Sequence, residues 1–224
     1  MKYHLIIHPE LKQDMDRLYQ AFKQDQNSPQ GREFQAAVDA LKALREGRES
    51  EYQGKQLGYG PGSHDLRDAA ELKVPVVQEY SDHGRPLGPS HRLVYREFEP
   101  LPTIENGQVV RDPNARAYRE ALNFTARSDD PAAVAGQRLG RDRGMPQPEL
   151  HGIAGGGRPD VGPQRPGVRT TPHRVPVPKD LLRQAAILRD SPPAGNAPKP
   201  SIAPAANVHR PTTLGRTQDR NLDS

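Results

Sequence analysis

Residues 2–47 read KYHLIIHPELKQDMDRLYQAFKQDQNSPQGREFQAAVDALKALREG, and their order decides the fold. Lys2–His8 is a short β-branched and aromatic run stopped by Pro9, which predicts a strand. Pro9 then suits the first turn of a helix. Leu11, Met15, Leu18 and Phe22 recur at spacings of four, three and four, one face of a helix running to about Gln24. Asn27-Ser28-Pro29 breaks that helix and starts another, with Ser28 as N-cap and Pro29 at the first position. Phe34, Val38, Leu41 and Leu44 form its apolar stripe, and Gly47 stops it. A strand followed by a helical hairpin is the reading.

Strand-like segments follow. The first is Lys55–Leu57 or His64–Arg67, the two being separated by a Gly/Pro loop at Gly58–Gly62. Next come Val74–Tyr80 and His91–Phe98, with turn residues between them, and Gln108–Arg111 after the Asn106-Gly107 turn signal. A short helix is expected from about Asn114 to Arg127, and one more around Ala132–Leu139. The fold class is therefore α+β: an N-terminal strand, a helical hairpin, a small antiparallel sheet and a short terminal helix.

Composition divides the chain near residue 145. All seven Tyr and all four Phe lie between Tyr3 and Phe124. Residues 146–224 hold 14 of the 24 Pro and 8 of the 20 Gly, with no aromatic residue. The expectation is a folded domain over 1–145 and a disordered, Pro/Gly-rich tail over 146–224. The tail carries 11 Lys/Arg against 6 Asp/Glu, and the rest of the chain 21 against 22, so the basic excess belongs to the tail. Within it, Leu181, Ala185 and Leu188 align as a helical face in Pro178–Asp190, a segment able to dock on the domain or on a partner. Gly155-Gly156-Gly157 lacks the strand and Lys of a phosphate loop and reads as a linker.

The chain has no Cys, which removes disulfide and thiolate chemistry. Among the eight His, His4 and His8 are spaced His-x₃-His, but they flank the first strand and read as structural, so neither a metal nor another cofactor is expected. No apolar run approaches the ~18 residues of a membrane span, and no signal peptide is legible at the start, so a cytoplasmic location is the expectation.

His64-Asp65-Leu66-Arg67, then His91-Arg92-Leu93-Val94-Tyr95-Arg96, then Tyr118 in a terminal segment give a more specific clue. Their order over residues 2–127 resembles the RelE/ParE superfamily of toxins from type II toxin–antitoxin pairs. In that family an Arg closes a Leu-Arg strand motif, a later strand carries a Tyr-Arg motif ending in Tyr, and a Tyr often lies in the terminal helix. The resemblance implies metal-independent mRNA cleavage on the ribosome, with a cognate antitoxin as partner. The family also hosts inhibitors of DNA gyrase, so a gyrase inhibitor stands beside it. A catalytically inert binding module whose tail recruits a partner is the reading from another class.

Cleavage needs the ribose 2′-hydroxyl deprotonated, the leaving oxygen protonated and the phosphate surrounded by cations. Arg suits the phosphate and His the proton transfers. The candidate catalytic residues are Arg67, Arg92, His64, His91 and Tyr118. Strand alternation places Arg92 and Arg96 on one face and His91, Leu93 and Tyr95 on the other, so the set shares a site only if a bulge or strand end intervenes. Each residue has a structural alternative. His64 and His91 fit loop and strand-start roles, Arg67 fits an ion pair with Asp65 or Asp68, and Tyr118 fits packing on the sheet.

Overall fold

In the computed structural model the described residues are 2–100, 103–105, 108–110, 112, 114–153, 172–178 and 181. Strand β1 (His4–Ile7) leads into helix α1 (Pro9–Gln24) and helix α2 (Pro29–Glu46). The helix boundaries follow local chemistry. Ser28 Oγ accepts from the Gly31 amide and Pro29 occupies the first turn. Gly47 ends α2 in the left-handed region at φ 72°, where its N–H reaches the Ala43 and Leu44 carbonyls. A Cβ at Gly47 would also come within 2.5 Å of the Lys2 side chain.

The chain continues through β2 (Gln53–Gln56), β3 (Ala69–Val74), β4 (His91–Phe98), a small β5–β6 ladder (Thr103–Glu105, Gln108–Val110) and β7 (Tyr118–Ala126). Helix α3 (Pro131–Arg138) and the two-residue strand β8 (Arg174–Val175) follow. The main sheet runs β1-β7-β4-β3-β2. β1 lies parallel to β7 and the other pairs on this path are antiparallel. β1 and β2 thus lie on opposite edges, and the helical hairpin between them crosses and covers one face. Leu11, Ala37, Ala40, Leu41 and Leu44 pack there on Ala70, Leu72, Val74, Leu93, Tyr95, Ala121 and Phe124. On the opposite face Leu57, Leu66, Ala69, Val94 and Leu122 meet Ala135 of α3.

Two expectations are corrected. Residues 118–126 form a strand, not part of a helix from Asn114 to Arg127. Helices α1 and α2 cover one face of β7 and α3 the other, so the alternation of a half-buried strand disappears. A bulge adds to this: Val94 pairs with Asn123 but Tyr95 with Ala121, which leaves Leu122 as an extra residue. Its helix-favouring Glu120 and Arg119 are instead buried in cross-strand ion pairs with Arg96 and Glu97. The second correction concerns Val74–Tyr80. The strand is Ala69–Val74, and it ends where Pro75 removes the amide a ladder needs. The Val76 and Val77 amides donate to Ser90 Oγ at 3.2 and 3.1 Å instead.

The compact unit spans Met1–Leu181, past the compositional break at 145. Gln147 N donates to Asp65 Oδ2 at 2.9 Å, and Leu150 is buried. β8 pairs in parallel with Glu97 and Phe98, beyond the last residue of β4 that pairs with β3. Arg174 adds a hydrogen bond to Glu97 at 2.9 Å, and Leu181 is buried. A few anchoring residues hold these segments despite their composition. Ala185, Leu188, the Gly155–Gly157 run and all of 182–224 lie outside the described residues.

Candidate functional site

The fold disperses the five residues singled out from sequence. His91 faces the helices. Its ring stacks on Phe124 with centroids 5.2 Å apart, Nδ1 lies 3.0 Å from Ser90 Oγ, and Nε2 lies 3.5 Å from Glu33 of α2. His64 is buried under α3, with Nδ1 2.6 Å from the Arg141 carbonyl, so that nitrogen donates. Its ring occupies the space over Gly136, where a Cβ would lie 2.1 Å from it. Arg67 makes a two-pronged contact with buried Asp65 at 2.8 and 2.6 Å. Burial pushes the Asp65 carboxyl up, but the hydrogen bonds from Arg67 and Gln147 outweigh it and hold the group below its ordinary value. Tyr118 opens β7 and stacks on His4 at 4.9 Å.

Register shows how far apart these groups are. Ala69 pairs with Arg96, so Arg67 lies at or beyond the Arg96 level, ~13 Å or more along the strand from Arg92. Tyr118 pairs with Phe98, six residues and ~20 Å from Arg92. His91 lies on the other face. Arg92 therefore shares a site with none of the other four.

Other residues join Arg92 that the sequence reading missed. Lys73 is opposite it on β3, Glu71 is two residues along on the same face, and Lys55 of β2 is opposite Glu71. Arg92 Nε and Lys55 Nζ lie 3.5 and 3.6 Å from the same Glu71 oxygen, Oε1. The span from β2 to β4 is two strand spacings, ~10 Å. Three cations and one carboxylate thus converge on the sheet face opposite the helical hairpin, bordered by Gln53, Asn123 and Thr125 in register.

The guanidinium of Arg92 is held in place by Nη1 donating to the Pro89 and His91 carbonyls at 2.7 and 2.8 Å. Burial draws its pKa below the ordinary value, and nearby Arg127 acts in the same sense, while Glu71 and Glu79 oppose it. Arg127 is itself paired with Glu79 at 2.5 Å at the border of the face. Lys55 and Lys73 are half-buried, their stems on the sheet. A sequence signal for this cluster existed: Glu71 and Lys73 alternate in AAELKV, but only a strand placed at Ala69–Val74 puts them on one face.

The remaining buried charges build the fold. On the Lys73 face, toward α3, Arg141 grips Asp68 at 2.6 and 2.7 Å, and Arg96 binds Glu120 at 3.0 Å and Asp68 at 3.5 Å. On the helix face, fully buried Arg119 bonds Glu49 at 2.9 and 2.8 Å, Glu97 at 3.0 Å and the Leu44 carbonyl at 2.9 Å, with its guanidinium 3.5 Å from the centre of the Tyr3 ring. No helix among the described residues is long and apolar enough to cross a membrane. No protein-family model, curated protein or solved structure matches the chain.

Proposed function

We propose that this chain is a RelE/ParE-like toxin of a type II toxin–antitoxin pair, and that it cleaves mRNA on the ribosome without a metal, using the Lys55–Glu71–Lys73–Arg92 face. The observation that carries the reading is the convergence of three cations and a carboxylate on one sheet face. The order of strand, helical hairpin and antiparallel strands supports it, because it is the order the resemblance implies.

In this reading the ribose 2′-oxygen attacks the adjacent phosphorus and the bond to the 5′-oxygen breaks. The products are a 2′,3′-cyclic phosphate and a 5′-hydroxyl. Glu71 takes the proton of the 2′-hydroxyl. Lys73 donates a proton to the departing 5′-oxygen. Arg92 and Lys55 neutralise the phosphate as charge builds on it, with Arg92 pre-oriented by the Pro89 and His91 carbonyls. Arg67, His64, His91 and Tyr118 lie away from this face, in ion-pair and packing contacts.

The test is growth arrest on expression without antitoxin. Wild type is expected to arrest growth, and Lys73→Ala with Arg92→Ala to relieve it while the protein stays folded. Loss of such a phosphate contact typically costs on the order of 10²-fold in rate. A gyrase-inhibiting or inert reading draws on the near-neutral charge of residues 1–145, 21 Lys/Arg against 22 Asp/Glu. It expects arrest with mRNA intact, or no arrest.

A further inference from the structure

Beside the three cations, the same face carries a polar pair on β7. Register runs Gln53, Lys73, Arg92 and Thr125 as one row across β2, β3, β4 and β7. Thr125 is the direct cross-strand neighbour of Arg92, so their Cβ atoms lie ~5 Å apart on one face of the sheet. The adjacent row places Asn123 opposite Val94, which is itself opposite Glu71. Asn123 is fully buried where α3 begins, and Thr125 is half-buried on the cationic side of it.

The Asn123 amide has one workable orientation. Nδ2 lies 3.1 Å from the Pro131 carbonyl, which can only accept, so the atom facing that carbonyl is the donor. Nδ2 also donates to Thr125 Oγ1 at 2.7 Å. Thr125 Oγ1 thus accepts from within the protein and keeps its own proton to give elsewhere. No acceptor among the described residues takes that proton. A hydroxyl proton left over beside a guanidinium, with an ammonium in the same row, completes a donor set for an anion. Arg92 already commits Nη1 to the Pro89 and His91 carbonyls, so a neutral donor on its β7 side adds to what the guanidinium has left. A phosphate can offer one oxygen to the cations and another to the hydroxyl.

We propose that Thr125 binds the scissile phosphate, its hydroxyl donating to a non-bridging oxygen, and that Asn123 is the positioning residue that turns that proton outward. This deepens the proposed function and rests on it. Neither residue transfers a proton in the reaction. Thr125 supplies a hydrogen bond that strengthens as charge builds on the phosphate, and Asn123 fixes where it points. Through the Pro131 carbonyl, Asn123 also ties the site to the start of α3.

The test is the single-turnover rate of mRNA cleavage by the full-length chain in a translation reaction, each variant being assayed below its melting temperature. Thr125→Val keeps the branched shape and removes the hydroxyl, and is expected to slow cleavage about ten-fold to a hundred-fold. Thr125→Ser keeps the hydroxyl and is expected to stay within about three-fold of wild type. Asn123→Ala is expected to slow cleavage by itself, but by less than about two-fold when Thr125→Val is already present, because it acts through that hydroxyl. If Asn123→Ala does not fold, the two Thr125 variants decide the assignment between them. Cleavage that is lost in Lys73→Ala with Arg92→Ala but unchanged in Thr125→Val overturns the Thr125 assignment and leaves the functional reading standing. Equal slowing in Thr125→Ser and Thr125→Val makes the role one of packing and overturns the assignment too. Full additivity of Asn123→Ala with Thr125→Val overturns the positioning role of Asn123. Absence of cleavage by wild type overturns the assignment and the functional reading together.

Discussion

Arg119 shows how single residues hold this molecule. It is fully buried, and Glu49, Glu97 and the Leu44 carbonyl compensate its charge. Removing one partner of a buried pair leaves the other charged and unpaired, at a cost of about 3–5 kcal/mol. Arg119→Met is expected to destabilise the protein by that amount in urea unfolding, and a change below about 1 kcal/mol would show that the network is not stabilising. The network also sets a pH dependence. The hydrogen bond from Arg119 holds the Glu49 carboxyl below its ordinary value, and Arg67 and Gln147 do so for Asp65 against the opposing effect of burial. Depressed folded values mean that this stability is fully present above the unfolded-state values near 4 and is lost as pH falls through the lower folded values. Thermal melts are expected to show stability level above about pH 5 and falling below about pH 4. In Arg67→Ala only backbone hydrogen bonds, from Gln147 and from position 67, are left to oppose burial at Asp65, so its contribution falls and the acid limb becomes shallower.

At the scale of elements, Gly136 and Ser90 carry specific tasks. Ala normally improves a helix interior over Gly by ~1 kcal/mol. In α3 the added methyl would lie 2.1 Å from the His64 ring. Gly136→Ala is therefore expected to destabilise by about 1–3 kcal/mol, measured by chemical denaturation; stabilisation would contradict the packing of His64 under α3. Ser90→Ala strips the acceptor from two amides at the base of the 75–90 connection. Faster hydrogen exchange at Val76 and Val77 is the expected result, with the exchange of β7 unchanged. The helical hairpin was legible because each boundary has its own chemistry: Ser28, Pro29 and Gly47 mark it locally. β7 was not, because what makes it a strand is non-local: neighbours on both sides, a bulge at Leu122 and cross-strand partners for Arg119 and Glu120. The charged neighbours of Arg92 were lost by the same route. The Val-rich run drew the expected strand to 74–80 and left Glu71 and Lys73 outside it, so Arg92 was singled out without the residues beside it in register.

At the scale of the whole molecule, the sheet separates two jobs. One face, under α1 and α2, carries the main apolar core. The other is sealed by α3 toward Leu66 and presents charge toward Lys73 and Arg92. Composition changes near residue 145, yet burial of Leu150 and Leu181 and the pairing of Arg174 and Val175 with β4 hold described segments beyond it. Limited proteolysis is expected to keep residues to about Ile153 in the resistant core and to leave the 172–178 segment bound to it. Loss of residues 172–178 from the core would contradict the docking of β8.

On the proposed function, the Lys55–Glu71–Lys73–Arg92 face cleaves mRNA. The most direct measurement adds purified full-length protein to a translation reaction and maps new mRNA 5′ ends by primer extension. Cleavage by wild type in the presence of translating ribosomes, with 5′-hydroxyl ends, is the expected result. A fall on the order of 10²-fold or more is expected in Lys73→Ala with Arg92→Ala, assayed below its lowered melting temperature, since that variant leaves buried Glu71 without its Arg92 partner. Intact mRNA with wild type, or equal cleavage by the double variant, would contradict the proposed function.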